Sequence, residues 1–326
     1  MSNRISYLRK AGAALFLCGL AALQAAHAEY PDRPVRFIVP AVAGGAADVL
    51  TRVLCSELAQ RLGQPFIVDN KPGASGAIGL DAVAKAPPDG YTIGMNNLAI
   101  LVATLSARQQ SFRIDRDFTP IAKMFTQPNV LAVYPALPVH SVKDLVAYAK
   151  AHPGEVFYGS SGTGTSLHVV TELFRASTGI QINHVPYRSA PLGETDLMGG
   201  QIQMMISNLT SLEPQIKAGR VRALAVTGPQ RSPLLPDVPT MAEAGVPQAE
   251  MVTWGGVVGP KGLPAEVVRK LNAAIDAVLS DPRVVKRYGE LGSDPTPQSP
   301  AQFAELIQSD STKWGAVIKN AHITSD

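Results

Sequence analysis

The sequence predicts an α/β fold of two lobes, each a mostly parallel sheet flanked by helices. Three observations predict it. Short apolar strands alternate with amphipathic helices along most of the chain. That alternation pauses after Met95 and restarts at Val130. Two glycine-rich turns, Ala41-Val42-Ala43-Gly44-Gly45-Ala46-Ala47-Asp48 and Gly159-Ser160-Ser161-Gly162-Thr163-Gly164-Thr165-Ser166, each follow a strand and precede a helix. Such a turn leaves the first N–H groups of its helix unpaired, and those donors, with the helix dipole, attract anions. Two turns of this kind, far apart in sequence, point to two lobes closing on one small anionic molecule.

Residues 1–28 are set apart from the fold. Arg4, Arg9 and Lys10 precede an apolar run, 11–23, which ends at Gln24 and the small-x-small site Ala26-His27-Ala28. This is the pattern of a secretory signal peptide, and the run is short of the about 20 apolar residues a membrane anchor needs. Cys18 lacks the neighbouring small residue of a lipidation site. The chain has 29 basic and 26 acidic residues, and the three basic residues before position 28 leave 26 of each. Balanced charge, with no basic run, excludes nucleic acid as an expected partner. Cys55 is then the lone cysteine, on the apolar face of a helix, so no internal disulfide is available and an inert buried thiol is expected.

The elements follow in order. A strand over 35–40 leads through the first turn to a helix with Leu50, Leu54, Leu58 and Leu62 on one face, stopped by Gly63 and Pro65. Strands at 65–68 and 91–95 flank a helix that starts after Gly73-Ala74-Ser75-Gly76 and runs to Val83; Pro87-Pro88-Asp89-Gly90 is a turn. Asp48 is expected to cap the first helix. The restart gives a strand at 130–134, a capping-box helix from Ser141, a strand at 156–158, the second turn and a helix to about Ala176. Strands at 183–187, 204–207 and 222–226 follow, with a short helix before Gly199-Gly200. After a proline-rich connector, 229–239, come an extended segment at 252–258, a helix from Pro264 and a last helix capped by Ser299-Pro300. The terminal helices are expected to pack on the first lobe, giving lobes 29–126 plus 252–326 and 127–251, with two chain crossings as hinge.

Enzyme motifs are incomplete. Gly162-Thr163-Gly164 begins a dinucleotide fingerprint, but Leu167 stands where the third glycine belongs. No Gly-Lys-Ser/Thr phosphate loop occurs, and Thr163 replaces the last glycine of a nucleophile elbow. The histidines at 140, 152, 168, 184 and 322 show no metal-ligand spacing. His168 is read as a first-turn residue that packs or hydrogen-bonds locally, with a ligand-facing role open. No cofactor and no metal are expected. What remains is binding: the hydroxyls of Ser160, Ser161, Thr163, Thr165 and Ser166, with backbone N–H groups of both turns, suit a carboxylate. A secreted α/β hydrolase-like enzyme using the 160–168 region is the alternative.

Seven stretches, in order, resemble the Bug-type extracytoplasmic solute-binding receptors of tripartite tricarboxylate transporters. They are Tyr30-Pro31-Asp32-Arg33-Pro34-Val35, Gly44-Gly45-Ala46-Ala47-Asp48, Asn70-Lys71-Pro72-Gly73-Ala74-Ser75-Gly76, Pro88-Asp89-Gly90-Tyr91-Thr92, Gly159 to Thr165, Val185-Pro186-Tyr187-Arg188, and Arg231-Ser232-Pro233 continuing to Thr240. The resemblance implies a type II periplasmic-binding-protein fold, a monomer in the periplasm, a small organic (di)carboxylate ligand, and membrane transporter subunits, or alternatively a sensor kinase, as partners. It implies ligand contacts from Val42, Ala43, Gly44, Gly45 and Ala46, from Ser160, Ser161, Thr163, Gly164, Thr165 and His168, and from Asn96, Asn97, Tyr187 and Asn208. Ala41, Ser189 and Ser207 depart from the aromatic residue, glycine and aspartate common in that family. The missing acid favours a plain organic acid over an amino acid.

Overall fold

The computed structural model describes residues 29–109 and 111–324. The expected signal peptide lies outside them. Strand β1 (Val35–Val39) leads to helix α1 (Ala46–Leu62), β2 (Phe66–Asn70), α2 (Ala77–Ala84), β3 (Thr92–Asn97) and α3 (Leu98–Ser106). The long strand β4 (Phe118–Val133) follows, then α4 (Val142–Ala151), β5 (Val156–Ser160), α5 (Ser166–Thr178), β6 (Ile182–Pro186), α6 (Ala190–Met198), β7 (Met204–Asn208), α7 (Leu209–Lys217) and β8 (Arg222–Val226). The chain closes with β9 (Val252–Pro260), α8 (Ala265–Leu279), α9 (Pro282–Glu290), β10 (Asp294–Gln298) and α10 (Pro300–Asn320).

The sheet is mixed. Its parallel pairs, β1 with β2 and β3, and β5 with β6 and β7, lie on either side of an antiparallel centre built on β4 and β9. The N-terminal part of β4 pairs with β9 and β10, its C-terminal part with β7 and β8. The strand order is therefore β2-β1-β3-β9-β4 in one half and β6-β5-β7-β4-β8 in the other. These are the same arrangement, with an antiparallel strand inserted fourth each time. The strand expected at 130–134 is only the end of β4; its first twelve residues, with Pro120 and Pro128, carry no strand signal in sequence.

Direction follows from the pairing. β3 is antiparallel to β9, and β9 to β4, so β1, β2 and β3 run the same way as β4. β7 is antiparallel to β4 and takes β5 and β6 with it. The C-terminal ends of the two strand sets thus point at each other along β4. Asn97 at the end of β3 is level, through Gly255, with Phe125, whereas Asn208 at the end of β7 is level with Asn129. Four residues of strand separate these levels, about 13 Å at roughly 3.3 Å per residue.

Three buried clusters hold the layers. One, with Leu50, Leu54, Leu58, Leu271 and Ile275, seals α1 and α8 onto the first half. A second, with Leu197, Leu209 and Leu212, seals α6 and α7 onto the second half. The largest runs through both halves, from Leu101 and Val102 of α3 and Trp314 of α10 to Val169 and Phe174 of α5. Helix α10, expected to serve the first lobe, thus also contacts α5. The two expected serine caps are both present. Ser299 and Gln302 form a complete capping box at α10. Ser141 Oγ accepts from Asp144 N–H, but the Asp144 carboxylate accepts from His140 N–H rather than Ser141, so the expected box is half made.

Candidate functional site

The two glycine-rich turns share one backbone design. Gly44 and Gly164 take left-handed φ values of 82° and 78°, a conformation that costs residues with a Cβ. The next residue, Gly45 or Thr165, is the extended N-cap. Four residues after each left-handed glycine, a side chain reaches back to its amide. Gly44 N–H donates to Asp48 Oδ2 at 2.8 Å, and Gly164 N–H donates to His168 Nδ1 at 3.1 Å. Asp48 therefore does not cap α1, as the sequence suggested; it fastens the turn that precedes it. In both helices the first three N–H groups, those of Ala46, Ala47 and Asp48 and those of Ser166, Leu167 and His168, make no backbone hydrogen bond. Each turn follows a strand C-terminus, the end at which open α/β sheets place their ligands.

The turns differ in charge. Burial opposes ionisation of Asp48, but bonds from Arg52, Gly44 and Asn70 outweigh it and hold the carboxyl at about 2. The first turn is thus fastened by an anion with its own arginine. The second is fastened by neutral rings. His168 and His184 stack at 3.9 Å, with Tyr158 4.9 Å from His184. Burial lowers both histidines, and the neighbouring His168 helps bring His184 to about 4. Since Nδ1 of His168 accepts a hydrogen bond, its ring is neutral with the proton on Nε2. The nearest carboxylate to these rings, Glu172, accepts from Tyr158 at 2.6 Å and is paired with Arg175.

Several expected ligand side chains are engaged by the protein itself. Ser160 is fully buried; its Oγ lies 2.6 Å from His184 Nε2 and accepts from Gly162 N–H at 3.1 Å. Thr165 Oγ1 donates to Gly162 O at 2.7 Å. Tyr187 donates its hydroxyl to Asp196 at 2.7 Å, and burial with that carboxylate pushes the phenol up to about 12. Asn97 caps α3 by accepting from Ile100 N–H. These four side chains shape the loops rather than offering free donors, because each finds a backbone or side-chain partner within its own half. Val42, Ala43, Gly44, Ala46, Thr163 and Asn208 are exposed, and Gly45 and Ser161 are half-buried. Asn96 is fully buried with neither amide atom bonded among the described residues. Ser106 Oγ, at the end of α3, donates to Gly164 O at 3.2 Å and so ties the first half to the second turn.

Sequence reasoning placed His184 in a strand and set it aside as a metal ligand; its alternation with Asn183 and Val185 gives no hint of the stacked pair. The Ser160–His184 contact is the start of a nucleophile–base pair. Yet the hydroxyl is sealed from solvent, and no carboxylate orients the histidine's other nitrogen among the described residues. Cys55 is buried, with its thiol pushed up to about 12, as an inert core thiol should be. Among the described residues there is no metal-competent cluster and no helix long and apolar enough to cross a membrane.

Two repeated sheet halves whose strand C-termini meet at a seam define the class of periplasmic binding proteins. The solved periplasmic binding protein BugD is 31% identical, with a TM-score of 0.74, and the alignment covers 91% of this chain and 100% of BugD. The family model for the tripartite tricarboxylate transporter family receptor matches residues 50–323, and the chain belongs to that family. Two further structures carry ligands. Rpa4515 of R. palustris, with adipate, is 38% identical with a TM-score of 0.77, covering 91% of this chain and 99% of that one. MatC of Rhodopseudomonas palustris, with bound malate, is 30% identical with a TM-score of 0.74, covering 89% of this chain and 100% of that one.

Proposed function

We propose that the chain is a periplasmic receptor that captures a small organic carboxylate between lobes 29–126 plus 252–326 and 127–251, and delivers it unchanged to a tripartite tricarboxylate-type transporter. The observation that carries this is the meeting of two strand sets, end to end, with an open helix N-terminus on each side. The first turn would offer Val42 to Ala46, and the second Ser161, Thr163 and the N–H groups behind Thr165; Asn208 and the buried Asn96 lie at the same strand ends. Bonds to an ionised carboxylate are worth roughly 1.5–3 kcal/mol each, and several together outweigh the cost of association. Asp48 at the first turn is paired with Arg52, and the second turn is held by the neutral His168, so both can accept a carboxylate. Adipate and malate in the two related structures support this ligand class. Export through the 1–28 segment, a monomeric receptor and an absence of catalysis complete the reading.

Thermal denaturation of the stripped mature protein tests it. Adipate, malate or a related acid raises the melting temperature, and mass spectrometry recovers the acid intact. A flat response across a broad panel of acids, or conversion of the bound compound, overturns the receptor reading.

A further inference from the structure

A cavity of 320 Å³ lies against the two strands that cross between the halves, with Lys123 of β4, Trp254 of β9 and Trp314 of α10 in its wall. No residue of either glycine-rich turn lines it. Lys123 is 8% exposed and has no hydrogen-bond or ion-pair partner among the described residues. Burial holds its ammonium below the usual lysine range. The stem of Lys123 is buried while its ammonium keeps contact with the cavity, so a charge that no described protein group matches is presented to whatever enters. Asp310 and Lys313 of the wall are hydrogen-bonded by neutral groups. Asp310 accepts from the indole N–H groups of Trp254 at 2.6 Å and Trp314 at 3.2 Å. Lys313 donates to Glu250 O at 2.7 Å and sits 4.6 Å over the Trp314 ring.

The chemistry of the wall selects among anions. Phosphate or sulfate needs several converging donors, and only one uncommitted ammonium is present. Met251, Leu306 and the two indoles supply apolar surface instead. The carboxylates of Glu250 and Asp310 in the same wall oppose a second negative group on the ligand. We propose that this cavity is a second binding site, which takes a monocarboxylate with an apolar body, its carboxylate on Lys123 Nζ and its body against the indoles. The site is independent of the ligand proposed for the turns.

Both tryptophans of the chain stand in this wall, so intrinsic fluorescence reads it directly. The mature protein is titrated with hexanoate and, separately, with inorganic phosphate. Hexanoate gives a saturable change; Lys123→Met weakens it by at least about tenfold, the loss expected for one charge-assisted bond, and Lys123→Arg restores most of it. Phosphate gives no saturable change. Lys123→Met, which replaces the ammonium with an apolar group of similar reach, keeps the thermal shift with adipate or malate, so a failure here and a failure at the turns are separable. Superimposable hexanoate curves for wild type and Lys123→Met, or phosphate binding as tightly as hexanoate, overturn the proposal.

Discussion

Asp48 and His168 occupy the same place in two turns and fasten them with different chemistry. The carboxylate needs Arg52 and Asn70 to stay ionised, whereas the imidazole needs to stay neutral to accept from Gly164. The second turn is therefore the acid-sensitive one. His184 is brought by burial from 6.5 to about 4, so the unfolded chain binds its proton first. Stability from this group is complete above about 6.5 and is lost as pH falls towards 4. The melting temperature of wild type should drop over that window more steeply than that of His184→Gln, in which an amide retains a bond to Ser160. Parallel pH profiles for the two would refute this. Sequence alone placed His168 as a local hydrogen-bonding residue, which it is. It gave no sign of His184, because the ring arrives from β6, a strand whose register on β5 sets Tyr158 opposite it.

At the scale of elements, β9 shows why glycine can be needed inside a strand. Gly255 and Gly256 leave both faces bare, and the Phe125 ring fills one face while Phe303 fills the other. A Cβ on Gly256 would run into the Phe303 ring and come within 2.8 Å of Ala122 O. Gly256→Ala should therefore lower stability by about 1–3 kcal/mol, the usual cost of overpacking, in urea unfolding monitored by circular dichroism. An unchanged midpoint would mean that α10 shifts freely. The helices and strands with periodic apolar faces were legible from sequence. Helix α3 was not: Leu98-Ala99-Ile100-Leu101-Val102 is apolar on every side, because it is buried between the first half and α5, and a uniform run has no period to read.

The whole molecule repeats one strand order twice and joins the copies through β4 and the β8–β9 line. Two such connections are where a hinge would act, and α3, α10 and α5 share a core across both halves. Binding of a carboxylate between the turns should favour the closed arrangement and reduce the radius of gyration in solution scattering. An identical scattering curve with and without saturating ligand would argue against closure. The sequence by itself determined the strand–helix alternation, the two glycine turns and the family, since each depends on residues only a few positions apart. Only the tertiary structure decided that the two strand sets run towards each other along β4, which hydroxyls of the turns are already bonded, and that Lys123 has no partner among the described residues. Those outcomes depend on the direction and register of strands far apart in the chain, and no local pattern encodes them.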